Sequence, residues 1–299
     1  MNREKKLIVI TGPTASGKTC AAIRLAQHFQ TEVVSADSRQ VYRELKIGVA
    51  RPADEELKQV RHHFIASHSI HQPLDAAQFA EEAMSVLNAL FEKYASVMVC
   101  GGSGLYLRAL LEGFDDIPEI PDEVREEIQR QYRLNGLSWL QQQMALHDEQ
   151  ALQQIDRHNP QRLMRALEVK LHTGKSIREF QTGKRKELPW SVVKIGLELP
   201  RKDLYQRIDQ RVISMVEQGL FAEAEQLFAH RHLTPLQTVG YEEVFDFMEG
   251  KHSYEEAVRL IQRNTRRYAK RQLTWFRRDS DIHWVHPDNL EEMIKISTV

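Results

Sequence analysis

Gly12-Pro13-Thr14-Ala15-Ser16-Gly17-Lys18-Thr19 follows directly on the apolar run Leu7–Ile10 and opens a helical pattern over Cys20–Phe29. Strand, glycine-rich turn and helix in that order form a phosphate-binding loop, which commits the start of the chain to a parallel sheet covered by helices. The glycines let successive amide N–H groups turn toward an anion, and the helix directs its positive end at the same point. Lys18 is placed to neutralise the terminal phosphate, and the Thr19 hydroxyl to hold Mg²⁺. The letters GKS recur in Thr173-Gly174-Lys175-Ser176, but Val169 stands where the first glycine is needed and no strand precedes it. That stretch reads as a helix stopping at a glycine. The loop alone names no reaction, because ATP, GTP and any compound ending in a diphosphate fit it.

Short β-rich runs alternate with helical patterns around this loop: Glu32–Ser35, then Ser96–Cys100 behind the helix Ala76–Lys93. Val192–Leu199 and His283–Val285 are late strands that return to the same sheet. Between Pro121 and Lys186 the pattern is helical and polar, with eight glutamines from Gln129 to Gln154 and no strand signal. A second helical block, Asp203–Arg278, is broken at Pro235 and Gly240. The expected organisation is a P-loop α/β core over residues 1–114, a helical insertion or lid over 115–190, and a return to the core with basic helices over 191–299.

At 41% hydrophobic and 28% charged residues, the composition is that of a globular chain with a sizeable core. No run approaches the roughly 20 apolar residues a membrane span requires, so a cytoplasmic protein acting without a membrane is expected. Cys20 and Cys100 fall in segments that read as buried, which suits reduced, packed thiols. The net charge of −1 pulls nothing globally onto nucleic acid. Locally the picture changes: Ala257–Arg278 carries eight basic residues and no acidic one, while Asp115–Ile128 carries seven acids against Arg125 alone. Arg259, Arg263, Arg266, Arg267, Lys270 and Arg277 recur at mostly three-, four- and seven-residue spacing and form one basic helix face. Such a face either docks a nucleic-acid backbone or pairs with the acidic stretch.

Glu32–Ala36 runs as a strand into Asp37-Ser38-Arg39-Gln40, so Asp37 emerges at the carboxyl edge of the sheet, where open α/β sheets bind ligands. Its carboxylate either takes a proton from a nucleophile or caps the following turn. After the next strand comes Gly101-Gly102-Ser103-Gly104, where many nucleotide hydrolases place an aspartate for magnesium. Hydrolysis loses ground, and Ser103 offers a hydroxyl to a substrate.

The combination GPTASGKT, DSRQVY, GGSGLY and NPQRLMRALE, with Gln237-Thr238-Val239-Gly240-Tyr241 later on, resembles the tRNA dimethylallyltransferases over nearly the whole chain. The resemblance implies transfer of a dimethylallyl group from dimethylallyl diphosphate to the exocyclic N6 amine of the adenosine just 3′ of the anticodon. It implies that Gly12–Thr19 holds the diphosphate, with Mg²⁺ on Thr19. Asp37 would be the base, with Asp37, Ser38, Arg39 and Gln40 lying against the tRNA together with Gln161, Arg162, Leu163, Met164 and Arg165. Ser103 and Arg125 match tRNA-contact positions, and Arg211 matches an arginine that meets the diphosphate. The family usually has threonine where Ser103 stands; the hydroxyl is kept and the methyl is not. The tRNA would be engaged through its anticodon stem-loop, with the helical insertion closing around it, by a protein acting as a monomer.

Asn159-Pro160 is a good helix opening, which places Gln161, Arg162 and Arg165 at a helix start able to face phosphates. His62, His63, His68 and His71 lack the carboxylate or cysteine partners of a metal site. Asp115-Asp116-Ile117-Pro118-Glu119 reads as an acidic helix-entry segment. Of the four tryptophans, Trp275 alone lies in the basic stretch, where it is a candidate for stacking on RNA. Two other function classes use the same loop: a small-molecule kinase, with Asp37 deprotonating a hydroxyl, and a nucleotide-gated RNA-binding module, with Asp37 as a cap.

Overall fold

A computed structural model describes residues 5–183 and 186–298. In chain order it contains β1 (Lys6–Thr11), α1 (Lys18–His28), β2 (Val33–Ser35), α2 (Asp54–Gln59), β3 (His62–His63), α3 (Ala76–Phe91), β4 (Ser96–Cys100) and α4 (Gly104–Glu112). There follow α5 (Asp122–His147), α6 (Glu149–Gln154), α7 (Pro160–Thr173) and α8 (Ile177–Phe180). The chain then runs through β5 (Ser191–Leu197), α9 (Arg201–Glu217), α10 (Leu220–Leu227), α11 (Tyr241–Met248), α12 (Tyr254–Phe276), β6 (Ile282–Val285) and α13 (Leu290–Thr298).

Two compact units emerge: Met1–Glu112 with Glu187–Val299, and Gly113–Lys186. In the first, the strands lie in the order β3-β2-β4-β1-β5-β6, every neighbouring pair parallel. Parallel strands need crossovers, and the crossover helices cover both faces of the sheet. Along β1 the side chains alternate accordingly: Leu7 and Val9 join a core with α3 and α4, while Ile8 and Ile10 join one with α1 and α13. The two late runs, at β5 and β6, extend the same sheet beyond β1. Two-residue β3 carried no sequence signal, because His62 and His63 are polar and only their backbone pairs with β2.

In the second unit α5, α6 and α7 bury Ile128, Leu140, Met144, Leu152, Leu163 and Leu167 in a core of their own. Gly136 interrupts α5 with φ of 71°. Asn159 caps α7, its Oδ1 accepting the Arg162 N–H at 3.2 Å, and Pro160 fills the first helical position. The same helix ends at Gly174 in the left-handed conformation, so the GKS there is a helix stop. Among the described residues no helix is long and apolar enough to cross a membrane.

Candidate active site

The strand order sets β2, β4 and β1 side by side, and Ser35 and Ile10 both register on Cys100. The chain therefore leaves all three strands at one level, at the carboxyl edge where crossovers diverge. Backbone bonds continue past the strands: Ala36 N–H donates to Cys100 O at 2.8 Å and Gly101 N–H to Ile10 O at 3.0 Å. The Thr11 hydroxyl adds a bond to Gly101 O at 3.1 Å. The phosphate loop, the Asp37 turn and the Gly101–Ser103 turn are thus neighbours by construction.

Residue 12 has to be glycine: its φ is +144°, and a Cβ there would fall 2.7 Å from Leu197 O. Around the loop opens a cavity of about 860 Å³ lined by Thr14, Ala15, Gly17, Lys18, Thr19, Asp37, Ser38, Arg39, Gln40 and Arg211, among others. Ser16, a residue of the loop itself, is buried, its Oγ without a partner among the described residues. Lys18 Nζ donates to Pro13 O at 2.7 Å, folding the lysine back over the loop. Burial pushes its ammonium down to about 8, against the upward pull of Cys100 and Asp37. Arg211, reaching in from α9, donates from Nη1 to the Thr14 hydroxyl at 3.5 Å. Burial lowers its pKa too, while the Glu56 and Asp37 carboxylates favour its charge. Two half-buried cations facing one loop, each also under the influence of Asp37, make a pocket suited to receive an anion.

Asp37 both caps and faces the cavity. Its Oδ1 accepts the N–H groups of Arg39 at 2.9 Å and Gln40 at 3.2 Å, which leaves Oδ2 without a hydrogen-bond partner among the described residues. The Ser103 hydroxyl accepts the Ser38 N–H at 2.9 Å and donates to Ser38 Oγ at 3.1 Å. Ser103 thus holds the Asp37 turn against the Gly101–Ser103 turn, a use the sequence did not reveal.

Two further side chains that tie these loops together, Gln272 and Glu223, escaped sequence reading. Gln272 bonds to two of these loops. Glu223 of α10 accepts the backbone N–H groups of Lys46, Ile47 and Gly48 at 2.8 to 3.2 Å and the Tyr241 hydroxyl at 2.5 Å. Gln40 Nε2 holds the next turn of this wall through Val49 O and Ala50 O, at 3.2 and 3.0 Å. Ile261, Thr265, Tyr268 and Gln272, four, three and four residues apart on α12, line the cavity as one helical stripe. That spacing was the available signal. On another side of α12, Arg259 pairs with Glu256 at 2.6 Å, Arg266 with Asp209, and Arg277 with Glu198 at 3.2 Å. Arg267 and Lys270 are exposed. Trp275 packs where a Cβ on Gly104 would lie, which favours packing over stacking on a ligand. Cys20 departs from expectation: it is exposed on the first turn of α1 and lines the cavity, because that turn forms part of the wall.

Arg125 and residues 161–165 belong to the second unit. Gln161 and Arg162 are exposed, whereas Leu163 and Met164 bury their side chains in that unit's core, leaving them only backbone for any ligand. Arg165 Nη1 pairs with Glu168 Oε2 at 3.6 Å. Glu168 is 7% exposed. Burial raises its pKa, and Arg165 and Arg125 both work against that rise. Arg165 therefore pairs directly with a buried carboxylate whose charge Arg125 also favours, while Arg125 itself pairs with Asp122 at 3.7 Å.

For a magnesium ion, the described residues offer no group of three His, Cys, Asp or Glu side chains. His63 instead bonds Glu32 at 2.7 Å. A hydroxyl at Thr19 beside an anion cradle fits magnesium nonetheless, since this ion keeps waters and takes its other oxygens from bound phosphates.

Comparison with known proteins gives a consistent pattern. Residues 40–279 match the model of a family described as IPP transferase. A tRNA dimethylallyltransferase of Cytophaga hutchinsonii is 46% identical over 289 residues, covering 97% of this chain and 95% of that one. A tRNA dimethylallyltransferase 1 of Bacteroides fragilis is 42% identical over 290 residues, with 97% and 96% covered. The solved structure of a full-length tRNA isopentenylpyrophosphate transferase from Bacillus halodurans superposes with a TM-score of 0.72 at 35% identity, covering 99% of this chain and 95% of that chain.

Proposed function

This chain belongs to the IPP transferase family, and we propose that it transfers a dimethylallyl group from dimethylallyl diphosphate to the N6 amine of the adenosine 3′-adjacent to a tRNA anticodon. The observation that carries the chemistry is the Asp37 carboxylate, with Oδ1 fixed by two backbone N–H groups and Oδ2 unpartnered among the described residues. It lines the same cavity as Thr14, Lys18 and Arg211.

An adenine amine is a weak nucleophile because its lone pair is delocalised into the ring. Asp37 Oδ2 accepts its proton as the N6–C1 bond to the prenyl carbon forms, a contribution of about 10²–10⁴-fold. The C1–O bond to the diphosphate breaks in the same event, and the charge growing on the leaving oxygens falls to Lys18, Arg211 and the loop amides. Thr19 would hold magnesium, which supplies further positive charge to the diphosphate when bound. The amine's proton goes to Asp37, the prenyl carbon to nitrogen, and the bonding pair of C1–O to diphosphate.

The acceptor has to leave its stack to reach such a cavity, at a cost of a few kcal/mol that is smallest in a loop. The anticodon loop of tRNA fits that requirement. Gln161, Arg162, Arg165 and Arg125 of the helical unit, and the exposed Arg267 and Lys270 of α12, would take the phosphate backbone. We place the reaction in the cytoplasm, where such tRNAs are handled.

Incubating the protein with dimethylallyl diphosphate labelled in its prenyl group, magnesium and tRNA lacking the modification tests this reading. Label is expected on a single adenosine 3′ of the anticodon. Label that stays off tRNA, with ATP consumed only when a small acceptor is added, would identify a kinase instead.

A further inference from the structure

Gln272 lies in the penultimate turn of α12 and is 7% exposed. Its Oε1 accepts the Thr14 N–H at 2.8 Å, and its Nε2 donates to Gly102 O at 2.8 Å. These partners are 258 and 170 residues away along the chain, in the phosphate loop and in the turn after β4. The bridge has room because residue 102 carries no side chain: a Cβ there would sit 2.5 Å from Gln272 Nε2 and 3.5 Å from Lys18 Nζ. Thr14 is gripped from its other side as well, through the Arg211 bond to its hydroxyl.

We propose that Gln272 is a positioning residue of the transfer: its carboxamide fixes the spacing between the phosphate loop and the Gly101–Ser103 turn. Through Ser103, which holds the Asp37 turn, the same bridge fixes how far the diphosphate stands from the base that receives the amine's proton. The inference rests on the reaction proposed above and deepens it.

The polarity of the two bonds is what singles out glutamine. One loop presents a donor and the other an acceptor, so the bridge needs one acceptor and one donor at the end of a two-methylene stem. A carboxylate of the same length satisfies Thr14 but sets two acceptors face to face at Gly102. A thioether of similar length fills the space and satisfies neither. Because both partners are backbone groups, losing the bridge leaves a buried N–H and C=O to find new partners, which shifts the loops. The Thr14 N–H is moreover committed to Gln272 and the Ser16 N–H to Pro13 O at 3.3 Å, so the anion cradle draws on the other amides from Ala15 to Thr19. The bridge holds Thr14 in place before any ligand arrives, which spares the ordering cost at binding.

The test compares Gln272→Met and Gln272→Glu with the wild-type full chain. It reads kcat and KM for dimethylallyl diphosphate, KM for tRNA, and the affinity for inorganic diphosphate by calorimetry. Displacing reacting groups by about an ångström costs on the order of 10²-fold, so Gln272→Met is expected to lower kcat/KM for the donor by roughly ten- to a hundred-fold. The tRNA KM should stay within about twofold. Gln272→Glu should bind inorganic diphosphate more weakly still, because its charge falls beside Lys18 and opposes the anion. If Gln272 merely packs, the near-isosteric Gln272→Met leaves donor kinetics and diphosphate affinity at wild-type values, and the proposal fails.

A measurement on the unaltered protein stands in should either variant not fold. The Thr14 amide must be protected from hydrogen exchange without ligand, and fast exchange there overturns the bridge. Wild-type protein that fails to label tRNA sinks the reaction proposed above. The diphosphate titration and the exchange measurement still decide whether Gln272 sets the loop.

Discussion

The two units of this chain are held together in different ways. Around the cavity the deciding side-chain bonds join distant segments: Thr14 to Gln272, Ser38 to Ser103, Ile47 to Glu223, Thr11 to Gly101. In the unit Gly113–Lys186 many side-chain bonds are one helical turn long, such as Arg130 to Glu127, Asn135 to Gln131 and Thr173 to Val169. Long-range bonds fix positions to fractions of an ångström, as bond-making between two substrates demands. Local bonds stabilise helices and leave side chains such as Arg162 exposed, and for the phosphate-backbone role proposed above point-charge contact suffices. Chemistry is therefore expected to fail sharply on small changes in the first unit, and tRNA affinity gradually on changes in the second.

The sharpest break falls at Asp37. Asp37→Asn keeps an oxygen for the Arg39 and Gln40 N–H groups, so the turn survives, but it cannot take the amine's proton. Turnover is expected to fall by about 10²–10⁴-fold with tRNA affinity unchanged. Thermal unfolding should stay close to wild type, whereas Asp37→Ala should lower it as well. An Asp37→Asn enzyme with normal kcat would leave Asp37 a cap and nothing more.

Next comes Lys18. In the free protein its ammonium titrates near 8, against an ordinary 10.5. Above pH 8 the loop loses a charge the diphosphate needs, so kcat/KM for the donor should decline as pH rises through that value. Stability moves oppositely. Between pH 8 and 10.5 the unfolded chain holds the Lys18 proton and the folded chain does not, so this residue makes the protein more stable as pH rises across that window. Lys18→Met should abolish both dependences and weaken inorganic diphosphate binding by roughly 10²-fold, measured by calorimetry and by unfolding at a series of pH values.

What the sequence disclosed follows the same division. The phosphate loop, β1, β4, the late strands β5 and β6 and the cap at Asn159 are each local patterns of a few residues, so they stood out. Gln272 and Glu223 were hidden because their partners lie 170 or more residues away and a glutamine or glutamate on a polar helix carries no local mark. Asp37 was ambiguous between cap and base because one carboxylate both accepts the N–H groups of its own turn and lines the cavity. Cys20 was misread because the first turn of α1, which a helix pattern treats as core-facing, forms cavity wall here. In the second unit, Leu163 and Met164 sit in a motif that also builds the core, so motif membership did not separate contact from packing.

The gentlest break is at Glu168, whose carboxylate pairs with Arg165 at 3.6 Å. Glu168→Gln keeps the volume and removes the charge, so Arg165 is freed while the core beside it stays filled and Arg125 keeps its pairing with Asp122. Arg165 is partly exposed, so the released guanidinium finds water and folding is little affected. The cost falls on preorganisation: Arg165 has to be ordered anew when a phosphate binds. The tRNA KM should rise by about three- to tenfold with its dependence on salt unchanged, and donor KM should not move. A variant with wild-type tRNA KM would show that Arg165 needs no carboxylate to hold it. A rise in donor KM instead would show that the two units share the chemistry that the comparison assigns to one of them.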